Sequence, residues 1–262
     1  MAVTAVPILT HAGMTKTALA SFAIAAAFPG LAAAAERQSK EAFRWTGKAE
    51  GLFVRNLSGP ITVEAAPPGG EIEIVGTVSW KDSAPDGIRW EVQPGSKGVT
   101  VCALWPAAEV TCGANGDYRH NGMRKNDLSV SLRVRLPAGT RLDVAATNGP
   151  VEITAEPAIL VARTVNGSLR VSSAAPADVA TVNGDITVTV GAAPRGDLSF
   201  ETVNGSIRVD VPDGFDGDAR ASTNNGSVTI AGKRLGRGGE ATFGRGGRKL
   251  VASSTNGAIV VE

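Results

Sequence analysis

A short phrase recurs along the second half of this 262-residue chain: Thr, usually one intervening residue, Asn and Gly, then alternating apolar and polar residues. It reads Thr147-Asn148-Gly149, Thr164-Val165-Asn166-Gly167, Thr181-Val182-Asn183-Gly184, Thr202-Val203-Asn204-Gly205, Thr223-Asn224-Asn225-Gly226 and Thr255-Asn256-Gly257. The Asn-to-Asn steps, by subtraction, are 18, 17, 21, 21 and 31 residues. A period of about 20 residues restricts the fold severely, because no unit that short buries its own apolar face and neighbouring copies must stack. Asn-Gly supplies the positive φ that a sharp corner demands. Taken alone, strand-Asn-Gly-strand spells a two-residue hairpin. The identity between copies favours another pairing, in which each strand lies beside its equivalent one repeat later, about 4.8 Å away. Matching Asn and Thr side chains then hydrogen-bond along the stack while apolar residues stack inside. The expectation is an all-β protein, with a parallel β-solenoid of about six or seven turns over residues 128–262.

Composition narrows the class further. With 26 basic and 25 acidic residues the net charge is +1, so no bulk field attracts nucleic acid and no specific nucleic-acid binding is expected. Gly is abundant (32) and aromatic content is 5%, while apolar residues still make up 43%, the profile of a turn-rich β protein rather than a disordered chain. From Met14 the chain runs Met-Thr-Lys, an apolar stretch from Ala18 to Phe28, and a small-residue run from Ala32 to Ala35. That is the layout of a signal peptide over residues 1–35, too short for a comfortable membrane span, and it predicts an exported protein in the periplasm or at the cell surface.

Residues 36–127 read as an N-terminal β lobe. Leu52-Phe53-Val54, Ile61-Thr62-Val63 and Glu71 to Val75 are short runs of strand formers, and Asn56-Leu57-Ser58-Gly59 looks like a degenerate first copy of the repeat. Leu128 to Leu136 alternates cleanly. Between Trp80 and Asn126 the pattern breaks. Cys102 and Cys112 lie there, an even count that in an exported chain predicts a disulfide closing a short loop, worth about 2–3 kcal/mol. Trp80, Trp90 and Trp105 are read as core of this lobe, with a sugar-stacking platform as the alternative.

The copies at 164–171, 181–188 and 202–209, with looser ones at 147–153, 223–230 and 255–260 and the step Leu136-Pro137-Ala138-Gly139, carry a resemblance. The chain resembles a family of bacterial exported β-strand-repeat proteins that bear the adhesin name without an established function. The resemblance implies a parallel β-solenoid outside the cytoplasm and brings no catalytic residues with it.

Candidate sites follow from charge and spacing. The repeated Asn and Gly residues read as architectural corners, with the Asn side chains buried or half-buried to satisfy backbone groups. Asp213, Asp216 and Asp218 in a Gly-rich loop form a weak calcium candidate that lacks a distal Glu, so no metal is expected there. Lys233, Arg234, Arg237, Arg245, Arg248 and Lys249 concentrate positive charge in the insertion that lengthens the last step, a candidate contact for an acidic polymer. His120 is the one His of the expected mature chain, and no nucleophile elbow, phosphate loop or zinc motif is present. The function expected is therefore a non-catalytic surface or envelope interaction protein without a cofactor, meeting a cell-surface glycan or acidic envelope polymer along its repeats. A self-associating periplasmic scaffold is the alternative, since a chain that stops on Ala258 to Glu262 leaves a strand edge available. A polysaccharide-active β-helix enzyme is the weaker third reading.

Overall fold

In the computed structural model, residues 37–123 and 125–262 are described. The expected signal segment 1–35 lies outside the described residues. Alternation in sequence becomes alternation across a sheet. In Ala177–Asn183 the residues Ala177, Val179 and Thr181 point inward and Asp178 and Val182 outward, and Ile186–Val190 buries Ile186, Val188 and Val190. Such residues from both large sheets join a single apolar cluster running from Leu52 to Val261.

The N-terminal part contributes β1 (Gln38–Gly47), β2 (Gly51–Ser58), β3 (Ile61–Ala65), β4 (Ile72–Trp80), β5 (Arg89–Gly95), β6 (Gly98–Leu104), β7 (Ala107–Cys112), β8 (Tyr118–Met123) and β9 (Ser129–Leu136). The repeats follow as pairs around each corner: β10 (Arg141–Asn148) with β11 (Val151–Ile153), β12 (Leu160–Asn166) with β13 (Leu169–Ser173), and β14 (Ala177–Asn183) with β15 (Ile186–Val190). Next come β16 (Leu198–Asn204) with β17 (Ile207–Asp210) and β18 (Gly217–Asn225) with β19 (Val228–Ile230). After β20 (Lys233–Arg234) and β21 (Gly238–Phe243), the pair β22 (Arg248–Asn256) and β23 (Ile259–Val261) completes the series. The only helical segments among the described residues are two short 3-10 turns.

An 11-stranded sheet runs β1-β4-β9-β3-β11-β13-β15-β17-β23-β19-β20, a 10-stranded sheet runs β21-β18-β22-β16-β14-β12-β10-β2-β6-β5, and β7 and β8 form a separate ribbon. The hairpin alternative is not what forms. Each repeat strand pairs in parallel with its equivalent in another repeat, as in Thr164 beside Thr181 and Asn166 beside Asn183. Residues 51–65 are indeed a first copy, with Ser58 beside Asn148 and Ile61 beside Val151. Strands from both sides of residue 128 share these sheets, β9 beside β3 and β4 and β10 beside β2.

Stacking does not follow chain order at the far end. The pair β22 and β23 lies between β16 and β17 on one side and β18 and β19 on the other. The open edge expected at Ala258 to Glu262 is therefore absent, because β23 has hydrogen-bonded neighbours on both flanks. That end of the stack is closed by the antiparallel strands β20 and β21.

Candidate interaction surface

Three columns of residues build the corner. The innermost consists of Thr164, Thr181, Thr202, Ser254 and Thr223, all between 2% and 7% exposed. Each hydroxyl donates to the corner glycine of the neighbouring repeat: Thr164 to Gly149 O, Thr181 to Gly167 O, Thr202 to Gly184 O, Ser254 to Gly205 O and Thr223 to Gly257 O, at 2.9–3.3 Å. The hydroxyls thus bond backbone rather than one another. Thr147 and Thr255 are not in this column, for the register places Ala146 and Ser254 two residues ahead of the corner Asn.

The glycines have a different cause from the one the sequence suggests. Positive φ occurs at Gly59 (117°), Gly149 (148°) and Gly257 (156°), but not at Gly167, Gly184, Gly205 or Gly226. What all of them share is close stacking. A Cβ at Gly167, Gly184, Gly205, Gly226 or Gly257 would stand 1.9–2.1 Å from the carbonyl oxygen of the glycine one repeat away. Every corner needs glycine because its neighbour's backbone already occupies the space of a side chain.

The outermost column is a continuous amide ladder. Asn166 donates to Asn148, Asn183 to Asn166, Asn204 to Asn183, Asn256 to Asn204 and Asn225 to Asn256, each at 2.8 Å. The burial expected of these residues is not found. Asn148 is half-buried, and Asn166, Asn183, Asn204, Asn256 and Asn225 are exposed. The corner's backbone groups are met by the threonines, which leaves the Asn side chains turned outward. An amide carries two N–H donors and an oxygen with two lone pairs. Each interior Asn therefore keeps one donor and one lone pair beyond its ladder bonds. Beside the ladder stand Val165, Val182 and Val203, 38–40% exposed.

The acidic and basic candidates turn out to be partners. Asp216 accepts from the Arg245 backbone N–H at 2.8 Å and from its guanidinium at 2.8 and 3.1 Å. Asp218 accepts from Thr242 Oγ1 and Gly247 N, and Asp197 accepts from Lys249 N. These bonds hold both Asp216 and Asp218 below the ordinary carboxylate range, chiefly through the backbone N–H groups of Arg245 and Gly247. The calcium candidate is not assembled: Asp213 is exposed on its turn, and no group of three or more metal-ligating side chains occurs among the described residues. Arg245 pairs with the Asp216 carboxylate, Arg248 donates to the Asp216 backbone carbonyl, and Lys249 offers Asp197 only its backbone N–H, whereas Lys233, Arg234 and Arg237 are exposed in and just after β20. The six cations do not form one patch.

In the N-terminal part, Cys102 of β6 is disulfide-bonded to Cys112 of β7, stapling the β7–β8 ribbon to the large sheet. Trp105 is buried and donates to Asn56 Oδ1, while Trp90 stacks on Phe43 at a centroid distance of 4.6 Å. Trp80 and Trp90 are half-buried against the core, so all three rings pack within the lobe. Tyr118 donates to Ala103 O, and burial pushes its hydroxyl up to about 12. His120 borders an open groove of about 910 Å³ with Arg89, Glu109, Asp117 and Arg119, with Asp117 paired to Arg119. Sequence reading overlooked two polar anchors. Arg55 pairs with Asp143 at 2.8 Å and donates to Gly116 O, and Asp127 accepts from the backbone of Lys81, Asp82 and Ser83. Nothing in the local motif marks them, because their partners lie 44 to 88 residues away.

No family model and no curated protein matches this chain. Among solved structures it is similar to one described as a "putative cell adhesion protein" from Clostridium sporogenes ATCC 15579, with 10% identity, 86% of this chain and 99% of that chain covered, and a TM-score of 0.48. It is also similar to a "putative adhesin" from Bacteroides fragilis NCTC 9343, at 9% identity, with 87% and 97% of the two chains covered and a TM-score of 0.32. A third, a "putative adhesin" from Parabacteroides merdae ATCC 43184, has 9% identity, the same coverages of 87% and 97%, and a TM-score of 0.25.

Proposed function

We propose that this chain is an exported, non-catalytic, adhesin-like interaction protein whose two large sheets are faces of a parallel β-solenoid. One observation carries the reading: the Asn148-Asn166-Asn183-Asn204-Asn256-Asn225 ladder, exposed from Asn166 onward, which repeats a spare donor and acceptor at every strand spacing. Strands recur about 4.8 Å apart, and the valine row alongside offers apolar contact at the same interval. A polymer presenting hydroxyls and apolar faces at regular steps, as a cell-surface glycan does, meets this column as a series of weak contacts that combine by avidity. Acidic groups on an envelope polymer would be met by Lys233, Arg234 and Arg237. The disulfide suits an oxidising compartment. No helix among the described residues is long and apolar enough to cross a membrane.

The test is co-sedimentation of the purified protein with isolated envelope polysaccharides, neutral and acidic. The variant V165K/V203K places its charges two repeats apart and should lose binding to the neutral polymer, while K233E/R234E/R237E should lose only the acidic one. Undiminished binding of the neutral polymer by V165K/V203K would remove the corner column from the site.

A further inference from the structure

The last repeat in the chain is not last in the stack. The corner ladder runs through Asn148, Asn166, Asn183, Asn204, Asn256 and Asn225, so residues 248–262 enter a slot one repeat wide between two repeats that precede them in sequence. In that slot Leu250, Ala252, Ile259 and Val261 are at most 1% exposed. Ser254 lies beside both Thr202 and Thr223, and Asn256 beside both Asn204 and Asn225. Nearly everything that holds this segment is supplied by β16 to β19 rather than by its chain neighbours.

Its covalent connection is short and glycine-rich. Phe243 and Arg248 flank Gly217 on opposite sides, so the segment Gly244-Arg245-Gly246-Gly247 crosses over the start of β18. Gly244, Gly246 and Gly247 all have positive φ, at 57°, 73° and 112°. Asp216 and Asp218 clamp this crossing through Arg245 and Gly247, which is the role the structure gives the acidic cluster.

We infer that residues 248–262 are an exchangeable repeat, able to fill the slot of a second copy of this chain as they fill their own. The bonds and buried side chains in the slot are the same whichever copy donates the segment. The choice between monomer and exchanged dimer is then set by loop geometry and effective concentration, which is about millimolar for a short flexible connection. The native chain closes on itself because five Cα steps reach about 17 Å, more than the about 9.6 Å of two strand spacings. Deleting Arg245, Gly246 and Gly247 leaves two steps, about 7 Å, too short for closure. This inference depends on strand order and not on what the corner column binds.

The test co-expresses two full-length copies with different tags, one carrying Ser199→Cys and the other Val251→Cys. These exposed positions are direct neighbours across β16 and β22, and the native cysteines are paired and inert to maleimide. A short bis-maleimide should link the two tags into a product of twice the chain mass, and its share should rise with expression level. Deleting residues 245–247 from both copies should shift the soluble protein from monomer to dimer by light scattering. Absence of the mixed product after the purified loop-intact pair is unfolded and refolded together at about millimolar concentration, where a second copy competes with the chain's own segment, would overturn exchange, even if the shortened variant failed to fold.

Discussion

The corner glycines invite a test that separates two reasons for glycine. A Cβ on Gly184 would lie 2.1 Å from Gly167 O and 2.5 Å from Gly167 C. Carbon-to-oxygen contacts settle at about 3.3–3.6 Å, so Gly184→Ala forces the two repeats more than about 1 Å apart at the corner. The bonds at risk are Gly167 N to Asn183 O (3.0 Å), Leu169 N to Asp185 O (2.9 Å) and Thr181 Oγ1 to Gly167 O (3.0 Å). At about 0.5–1.5 kcal/mol net for each, their loss costs about 2–4 kcal/mol. Restricting the unfolded chain returns about 0.4–1 kcal/mol, leaving a net loss of about 1–3.5 kcal/mol. Urea unfolding followed by far-UV circular dichroism measures it, with Gly238→Ala as control, because there the nearest atom is 3.3 Å away on an exposed strand. Gly184→Asn discriminates the causes. Asn tolerates the left-handed region better than Ala does, so a conformational requirement would make Asn the milder change, whereas a blocked Cβ makes it at least as harmful. A G184A variant within about 0.5 kcal/mol of the parent, the range of ordinary surface changes, or clear recovery by G184N, would refute the steric account.

Other outcomes follow from the same geometry. Thr202→Val keeps the shape and removes the hydroxyl that bonds Gly184 O, and should cost about 1 kcal/mol in the same unfolding assay. Replacing Cys102 and Cys112 by Ser opens a loop of sequence separation 10 and should lower stability by about 2.5–3 kcal/mol, read as an earlier urea midpoint. Arg55→Ala strands a largely buried Asp143 and should cost about 2–4 kcal/mol, more than deleting any exposed ion pair such as that of Arg163 and Asp178. Asp127, Asp216 and Asp218 have carboxyls held below their unfolded value of 3.8 by hydrogen bonds from Ser83, Arg245 and Gly247 respectively. Their stabilisation is complete above that value and is lost as pH falls through the depressed one, so thermal midpoints should be flat above about pH 5 and fall in acid. The triple change to Asn should flatten that acid decline.

Much of this architecture is legible in the chain itself. The period of about 20 residues, with Thr, Asn and Gly at matching places, calls for equivalent strands side by side in parallel, because only like neighbours make stacked identity useful. The disulfide could be read from an even pair of cysteines in a chain whose N-terminal segment predicts export. The acidic and basic segments were visible as charge, but local spacing could not reveal that Asp216 holds Arg245 or that Arg55 reaches Asp143 across 88 positions. The reason for each glycine was equally hidden, since a dipeptide reports its own φ preferences and not the carbonyl stacked 2 Å beyond it. Stack order, finally, was settled by tertiary structure alone. Each repeat presents nearly the same inward side chains and the same edge bonds, so local sequence cannot say which repeat lies beside which. That choice falls to the crossing at Gly244 to Gly247 and the closing strands β20 and β21, which place residues 248–262 between repeats that come earlier in the chain.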